Sequence, residues 1–365
     1  MIRHLAIAVL ALSQLSTARA EPPRVMTDIA PVHSLASIVM QNVGTPDVLL
    51  PPGASPHDFA LKPSDARNVS QADLIVWIGE DFTPWLERSI GTLAPDARSL
   101  QLIDVPGTFT LPYRKGPVFG AEAAHDHAHG EKHGHGHDKH GHGDEKHEGH
   151  GGHDGHDHGG GDHGRAEHDD GHDHDDRHRE HASEDAGHHG HAHHGDVELH
   201  AWQDPENAKV WLDAIAALLA EMDPDNAATY RENAAAARRD LDALTADLRV
   251  RLKPLQGRGF IVMHDAYHYF EHRFGVEADA AILPGDGGQA SAARMQAISE
   301  HMRGLGATCI FIEPQMPDRL ARTLAEEHGV RIGTLDPIGD NLARGPDLYA
   351  MMMRGIGESL LDCMG

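Results

Sequence analysis

Two cysteines, Cys309 and Cys363, are all that the 365-residue chain contains. That rules out a thiolate-only zinc site and a multi-disulfide framework. No apolar run reaches the roughly 18 residues that a membrane-spanning helix needs. There is no glycine-rich phosphate loop of the GxxxxGK[ST] kind, so the chain has no nucleotide-driven engine of its own. Positive charge is scarce as well: 31 Lys and Arg against 57 Asp and Glu leave a formal charge of −26. Such a surface repels phosphate backbones, which excludes nucleic acid as a partner.

What is present begins with an export signal. Arg3 makes a positive start, Leu5 to Leu12 is a short apolar run, and Ala18-Arg19-Ala20 is a small-x-small cleavage site. Residues 1–20 therefore read as a secretory signal peptide, and the mature chain is expected outside the cytoplasm. No Cys follows the signal, so a lipoprotein anchor is not indicated. In an exported chain Cys309 and Cys363 are most simply one disulfide, with two free thiols as the alternative.

Histidine is the abundant residue. The chain holds 33, and 24 of them fall between His125 and His194, together with 18 acidic and 6 basic residues. This tract has no Leu, Ile, Val, Phe, Trp or Tyr, so it cannot offset chain entropy by burial and is expected to be disordered. Repeats such as His133, His135, His137 and His153, His156, His158 offer weak, overlapping metal sites. Without the tract, enough chain remains for two ordinary domains.

Outside it, the sequence alternates strands and helices. Strands are expected at Arg24 to Ile29, Val48 to Leu50, Ala72 to Ile78 and Leu100 to Val105, with helices between them. The rhythm resumes with strands at Phe260 to Met263, Asp279 to Leu283, Cys309 to Ile312 and Val330 to Leu335. Alternation of this kind predicts parallel sheets. Between the two sets, Asn226 to Leu252 carries Tyr230, Ala237, Leu241, Leu244 and Leu248 at helical spacing, a strut of roughly 40 Å. The expected architecture is α/β: two parallel-sheet lobes joined by a long rigid helix, with a metal site in the cleft between them. The boundaries are 21–222 for the N-terminal lobe, 223–254 for the linking helix and 255–365 for the C-terminal lobe.

Ligands of open α/β sheets sit beyond the carboxyl ends of the strands. That rule selects His57, His200 and His264, each in a loop at a strand end or before a helix. Three neutral imidazoles form a standard zinc set, completed by water or a carboxylate. Asp336 follows the strand Val330 to Leu335 and is the candidate fourth ligand; as a hard carboxylate it would shift the preference towards manganese. His264, His268 and His272 are spaced to share one helix face. The residue after His264 is Asp265, however, so the H-E-x-x-H signature of a metalloprotease is missing. His33 reads as structural.

The segments "PPGASPHDFALKPSD", "HAWQDPENA", "MHDAYHYFEHRFG" and "TLDPIG" together resemble the periplasmic zinc-binding component of bacterial high-affinity zinc ABC transporters. The resemblance covers nearly all of the chain outside the signal and the tract. It implies that His57, His200 and His264 ligate Zn²⁺ and that Asp336 is a ligand or stands back for water. Where some zinc relatives carry a Glu before the first ligand, this chain has Pro56. The resemblance also implies two lobes on a rigid helix and, through Cys309 and Cys363, a disulfide in the C-terminal lobe. The partners to expect are an ABC membrane permease with its ATPase and an accessory periplasmic zinc chaperone, with the chain itself a monomer. A manganese or iron binding protein of the same architecture is the alternative, and a zinc hydrolase is a distant third.

Overall fold

A computed structural model describes residues 21–57, 59–119, 196–284 and 288–365. The signal segment and the histidine tract, with His133, His135, His137, His153, His156 and His158, lie outside the described residues.

The first sheet contains β1 (Val25–Thr27), β2 (Asp47–Val48), β3 (Leu74–Trp77) and β4 (Arg98–Gln101) in the order β2-β1-β3-β4, all parallel. The second contains β5 (Phe260–Val262), β6 (Ala280–Ala281), β7 (Cys309–Ile312) and β8 (Arg331–Thr334) in the order β6-β5-β7-β8, again parallel. The two orders are the same pattern used twice. In each, the chain leaves the first strand on one side and returns on the other. The switch points therefore fall between β1 and β3 and between β5 and β7, where a ligand-binding crevice forms.

Runs such as Leu74–Trp77 and Cys309–Ile312 are apolar without alternation because helices cover both faces of a parallel sheet. Those helices are α1 (Ala30–Val39), α2 (Pro63–Ser70), α3 (Pro84–Leu93), α4 (Pro205–Met222), α5 (Ala227–Leu252), α6 (His268–Phe274), α7 (Ala292–Leu305), α8 (Arg319–His328) and α9 (Leu348–Met364). Proline at the first turn begins α2, α3 and α4, where its missing N–H costs nothing. Asp204 caps α4 by accepting from the Glu206 amide at 2.9 Å.

The long helix α5 has 26 residues and buries Tyr230, Ala234, Ala237, Leu241, Leu244, Leu248 and Leu252. It packs against α4 of the first half and α9 of the second. Cys309 and Cys363 form a disulfide, Cα to Cα 6.1 Å, that ties β7 to α9.

Two local expectations shift. The short strand is Asp47–Val48, yet Leu49 and Leu50 still donate to Thr27 O and Asp28 O at 2.9 and 3.0 Å, so the pairing continues beyond it. Helix α6 starts at His268, because the chain turns sharply at His264, where the Ala266 amide bonds back to the His264 carbonyl at 2.9 Å. His264 thus precedes the helix and does not share a face with His268 and His272.

Candidate metal centre

Three segments far apart in sequence meet at the carboxyl ends of the strands. His264 leaves the end of β5, His200 stands just before α4, and His57 lies in the loop between β2 and α2. One ligand atom from each lies within 4.8 Å of the others, the only such group of His, Cys, Asp or Glu among the described residues. His200 and His264 are 2 % exposed, while His57 is partly exposed. The pocket in front of them is also lined by Pro56, Glu313 and Ile338.

The two buried histidines are oriented by carboxylates. His264 Nδ1 donates to Glu313 Oε1 at 2.6 Å. His200 Nδ1 donates to Glu198, whose oxygens also accept the His200 amide at 3.1 Å each. With Nδ1 carrying the proton, Nε2 is the bare nitrogen, and a carboxylate behind it raises its basicity as a ligand. The two Nε2 atoms face one another at 3.4 Å. Two Zn–N bonds of 2.0–2.1 Å at a tetrahedral angle put their nitrogens about 3.3–3.4 Å apart. The pair therefore already has the separation that one tetrahedral zinc ion requires.

Electrostatics differ between the two. Burial, then the neighbouring His264, pushes the His200 imidazole down to about 3, so it stays neutral. Burial works most strongly against charge on His264, but the Glu313 carboxylate, by charge and by hydrogen bond, together with the charges of Asp265 and Glu198, outweighs it, and His264 rises above its ordinary value. Burial, then the charge of Asp265, raises Glu198 well above the usual carboxylate range. A cation on His200 Nε2 makes Nδ1 a stronger donor and favours the ionised form of Glu198.

The His200 and His264 segments are fastened to each other directly. Gln203 Nε2 donates to Ala266 O at 2.8 Å, and Tyr269 Oη donates to Glu198 O at 2.7 Å. Arg273 forks onto the buried cap Asp204 at 2.8 and 2.6 Å. Arg114 clamps Asp265 and Glu271 in one buried ion-pair group. Aromatic side chains complete the wall: the Phe82 ring is edge-on to His57 at 5.5 Å and to His200 at 5.8 Å.

Asp336 is not brought into the three-histidine group. Its Oδ1 accepts from Gln315 Nε2 and from the Ile338 amide, both at 3.2 Å. His33 is buried with Nε2 on the Pro46 carbonyl at 3.1 Å. His272 stacks on Phe109 with ring centroids 5.1 Å apart. Glu198 and Glu313 were not singled out from sequence. Both carried a signal: Glu198 sits two residues before a ligand candidate, and Glu313 follows β7 at the same kind of strand end that selected His264.

Two α/β lobes with imidazoles gathered at their strand ends define a metal-binding solute-binding protein. The chain matches the family model for the periplasmic zinc-uptake complex component A over residues 25–363, and it belongs to that family. It is 40 % identical to the high-affinity zinc uptake system protein ZnuA of Brucella abortus (strain 2308) over 349 residues, covering 96 % of this chain and 94 % of the relative. The ZnuA of Paracoccus denitrificans (strain Pd 1222) is 41 % identical over 349 residues, with 95 % and 94 % covered. Among solved structures, the fold resembles a ZnuA 138–173 deletion mutant with zinc bound, with a TM-score of 0.63, 19 % identity, and 94 % of this chain and 98 % of that one covered.

Proposed function

We propose that this chain captures Zn²⁺ in the periplasm and hands it to an ABC permease powered by a separate ATPase. In this reading His57, His200 and His264 hold the ion between a lobe of residues 21–222 and a lobe of residues 255–365 joined by the helix of 223–254. The observation that carries it is the spacing of His200 and His264, whose Nε2 atoms stand at the separation that a tetrahedral zinc ion requires. Asp336 stands back, engaged by Gln315 and Ile338, and water completes the shell. In this reading the protein works as a monomer, with an accessory periplasmic zinc chaperone as a further partner.

The donor set favours zinc over manganese or iron, since three imidazoles are softer than the carboxylate-rich sets those ions prefer. Transport is favoured over hydrolysis by the carboxylates beside the ligands. A hydrolase needs a base facing a metal-bound water; Glu198 is engaged by the His200 Nδ1, and Glu313, although it lines the pocket, is engaged by the His264 Nδ1.

The test is a competition titration of the mature chain with Zn²⁺ and Mn²⁺, followed by anomalous scattering at the zinc edge on a loaded crystal. Preferred zinc binding and a peak among the three imidazoles are expected. A filled crystal with no peak there overturns the reading. Stimulated zinc uptake by permease vesicles supplied with the loaded chain tests delivery.

A further inference from the structure

The three histidines are not held alike. His200 and His264 belong to segments cross-braced by Gln203, Tyr269 and Arg273. Their separation is fixed by the body of the protein. His57 stands in the stretch between β2 and α2, whose described residues form neither helix nor strand. Besides the Phe82 ring edge-on to His57, two side chains from outside hydrogen-bond to the backbone of this stretch. Trp85, in the first turn of α3, donates its indole Nε1–H to the Pro56 carbonyl at 3.1 Å, the peptide unit that enters His57. The Phe59 ring packs edge-on against the same indole at 5.0 Å. From the C-terminal half, Asp340 Oδ1 accepts the Gly53 amide at 2.7 Å.

We propose that Trp85 is a positioning residue for the metal site. With Asp340, it clasps the His57 loop from two sides and sets how fast zinc leaves. This rests on the reading of His57 as a zinc ligand. A three-imidazole site binds tightly, so unloading is easiest through the one ligand whose backbone can move without disturbing the braced pair. Losing the indole hydrogen bond lets the Pro56–His57 peptide swing outward, while the Trp85 ring and its packing can be kept. Asp340 makes the grip bridge the cleft, so it loosens on either a shift of the loop or a shift between lobes.

The experiment uses the full mature chain. Zinc release is started with excess chelator and followed by indole fluorescence, since the Trp202 ring lies 5.0 Å from that of His200 and the histidine tract has no Trp. Trp85→Phe keeps an aromatic ring and removes the donor; Asp340→Ala removes the acceptor; Asp340→Asn restores one. Trp85→Phe and Asp340→Ala should each speed release by about 3- to 10-fold, the range for one hydrogen bond. Metal-free stability should fall by no more than the share of one hydrogen bond, and Asp340→Asn should release at nearly the original rate. Combined with His57→Ala, Trp85→Phe should produce no further loss of affinity, because the clasp acts only through His57.

Unchanged release in both Trp85→Phe and Asp340→Ala, with His57→Ala still weakening zinc, overturns the clasp and leaves the site reading intact. An equal effect of Trp85→Phe with and without His57 also overturns it, showing a general structural role. A silent His57→Ala removes the site reading itself.

Discussion

His200 Nε2 and His264 Nε2 face each other across 3.4 Å, each ring backed by a buried carboxylate. Two lone pairs at that distance repel unless something positive lies between them. A proton serves at low pH, and a zinc ion serves better because it can satisfy both at once. Residues 64 positions apart in sequence thus present two imidazole nitrogens at the separation that a shared cation requires.

The ligands should be separable by mutation. If His57, His200 and His264 form the proposed shell, replacing any one with Ala should weaken cleft zinc by more than 100-fold, beyond the usual effect of changes behind the ligands. Chelator competition measures it. A silent substitution removes that residue from the ligand set. Asp336→Ala should weaken zinc far less than any of them, since its carboxylate is engaged with Gln315 and Ile338.

The carboxylates behind the imidazoles give a second, milder signature. Glu313→Gln and Glu198→Gln keep the shape but lose the charge that strengthens the ring nitrogen. Each should cost about 10- to 100-fold in zinc affinity. Isothermal competition against a chelator of known strength reads this directly, and values within twofold of the original chain would contradict a role in tuning the ligands.

Much of this was legible in the sequence, and the reasons are physical. Apolar runs bounded by turns marked β3, β5 and β7, and proline after a strand-free stretch marked the starts of α3 and α4. The strand-end rule chose His57, His200 and His264 without knowing how they meet, and the structure brings the three together. Glu313 escaped because a carboxylate after a strand looks like any turn residue until the partner ring is placed against it. Trp85 escaped for the same reason: its use is a hydrogen bond to a carbonyl 29 residues away. Periodicity reports which face is buried, not which long-range partner is met. The spacing of His264, His268 and His272 allows one helix face, but His264 stands at the strand end before a bend, and the helix begins at His268.

The pH dependence follows from the two imidazoles. His264 is raised, so below its folded pKa a proton occupies the nitrogen that zinc needs, and affinity should fall by about tenfold per pH unit between pH 7 and 5. Stability of the metal-free chain has opposing parts. The raised His264 contributes stability that is present below about pH 6.5 and is lost as pH rises through its folded value. The lowered His200 does the reverse: as pH falls below about 6.5 the unfolded chain takes a proton that the folded site refuses, so stability drops towards pH 3. Denaturant unfolding at several pH values should therefore show His200→Ala losing less stability on acidification than the original chain. A parallel fall in both would put the acid sensitivity elsewhere.

The disulfide should matter for stability and not for zinc. It bridges a separation of 54 residues and joins β7 to α9, away from the imidazoles. Constraining a loop of that length in the unfolded chain stabilises by about 4 kcal/mol. Cys309→Ser with Cys363→Ser should lower the unfolding midpoint by several degrees and leave cleft affinity within about threefold. A large loss of affinity would mean that β7, which leads into Glu313, depends on the bridge for its position.

The histidine tract should add capacity without adding affinity to the cleft. Its sequence of imidazoles and carboxylates has no Leu, Ile, Val, Phe, Trp or Tyr, a composition that favours many weak, overlapping sites over one tight one. Tract sites are therefore expected to be weaker than the cleft, where Gln203 and Tyr269 brace the two histidine segments. Removing residues 125–194 should lower the zinc bound per chain in a direct titration while the tightest binding constant stays the same. If the count does not change, the tract is only an acidic solvated linker. If the tightest constant falls instead, the tract supplies part of the site, and the three-histidine set is incomplete.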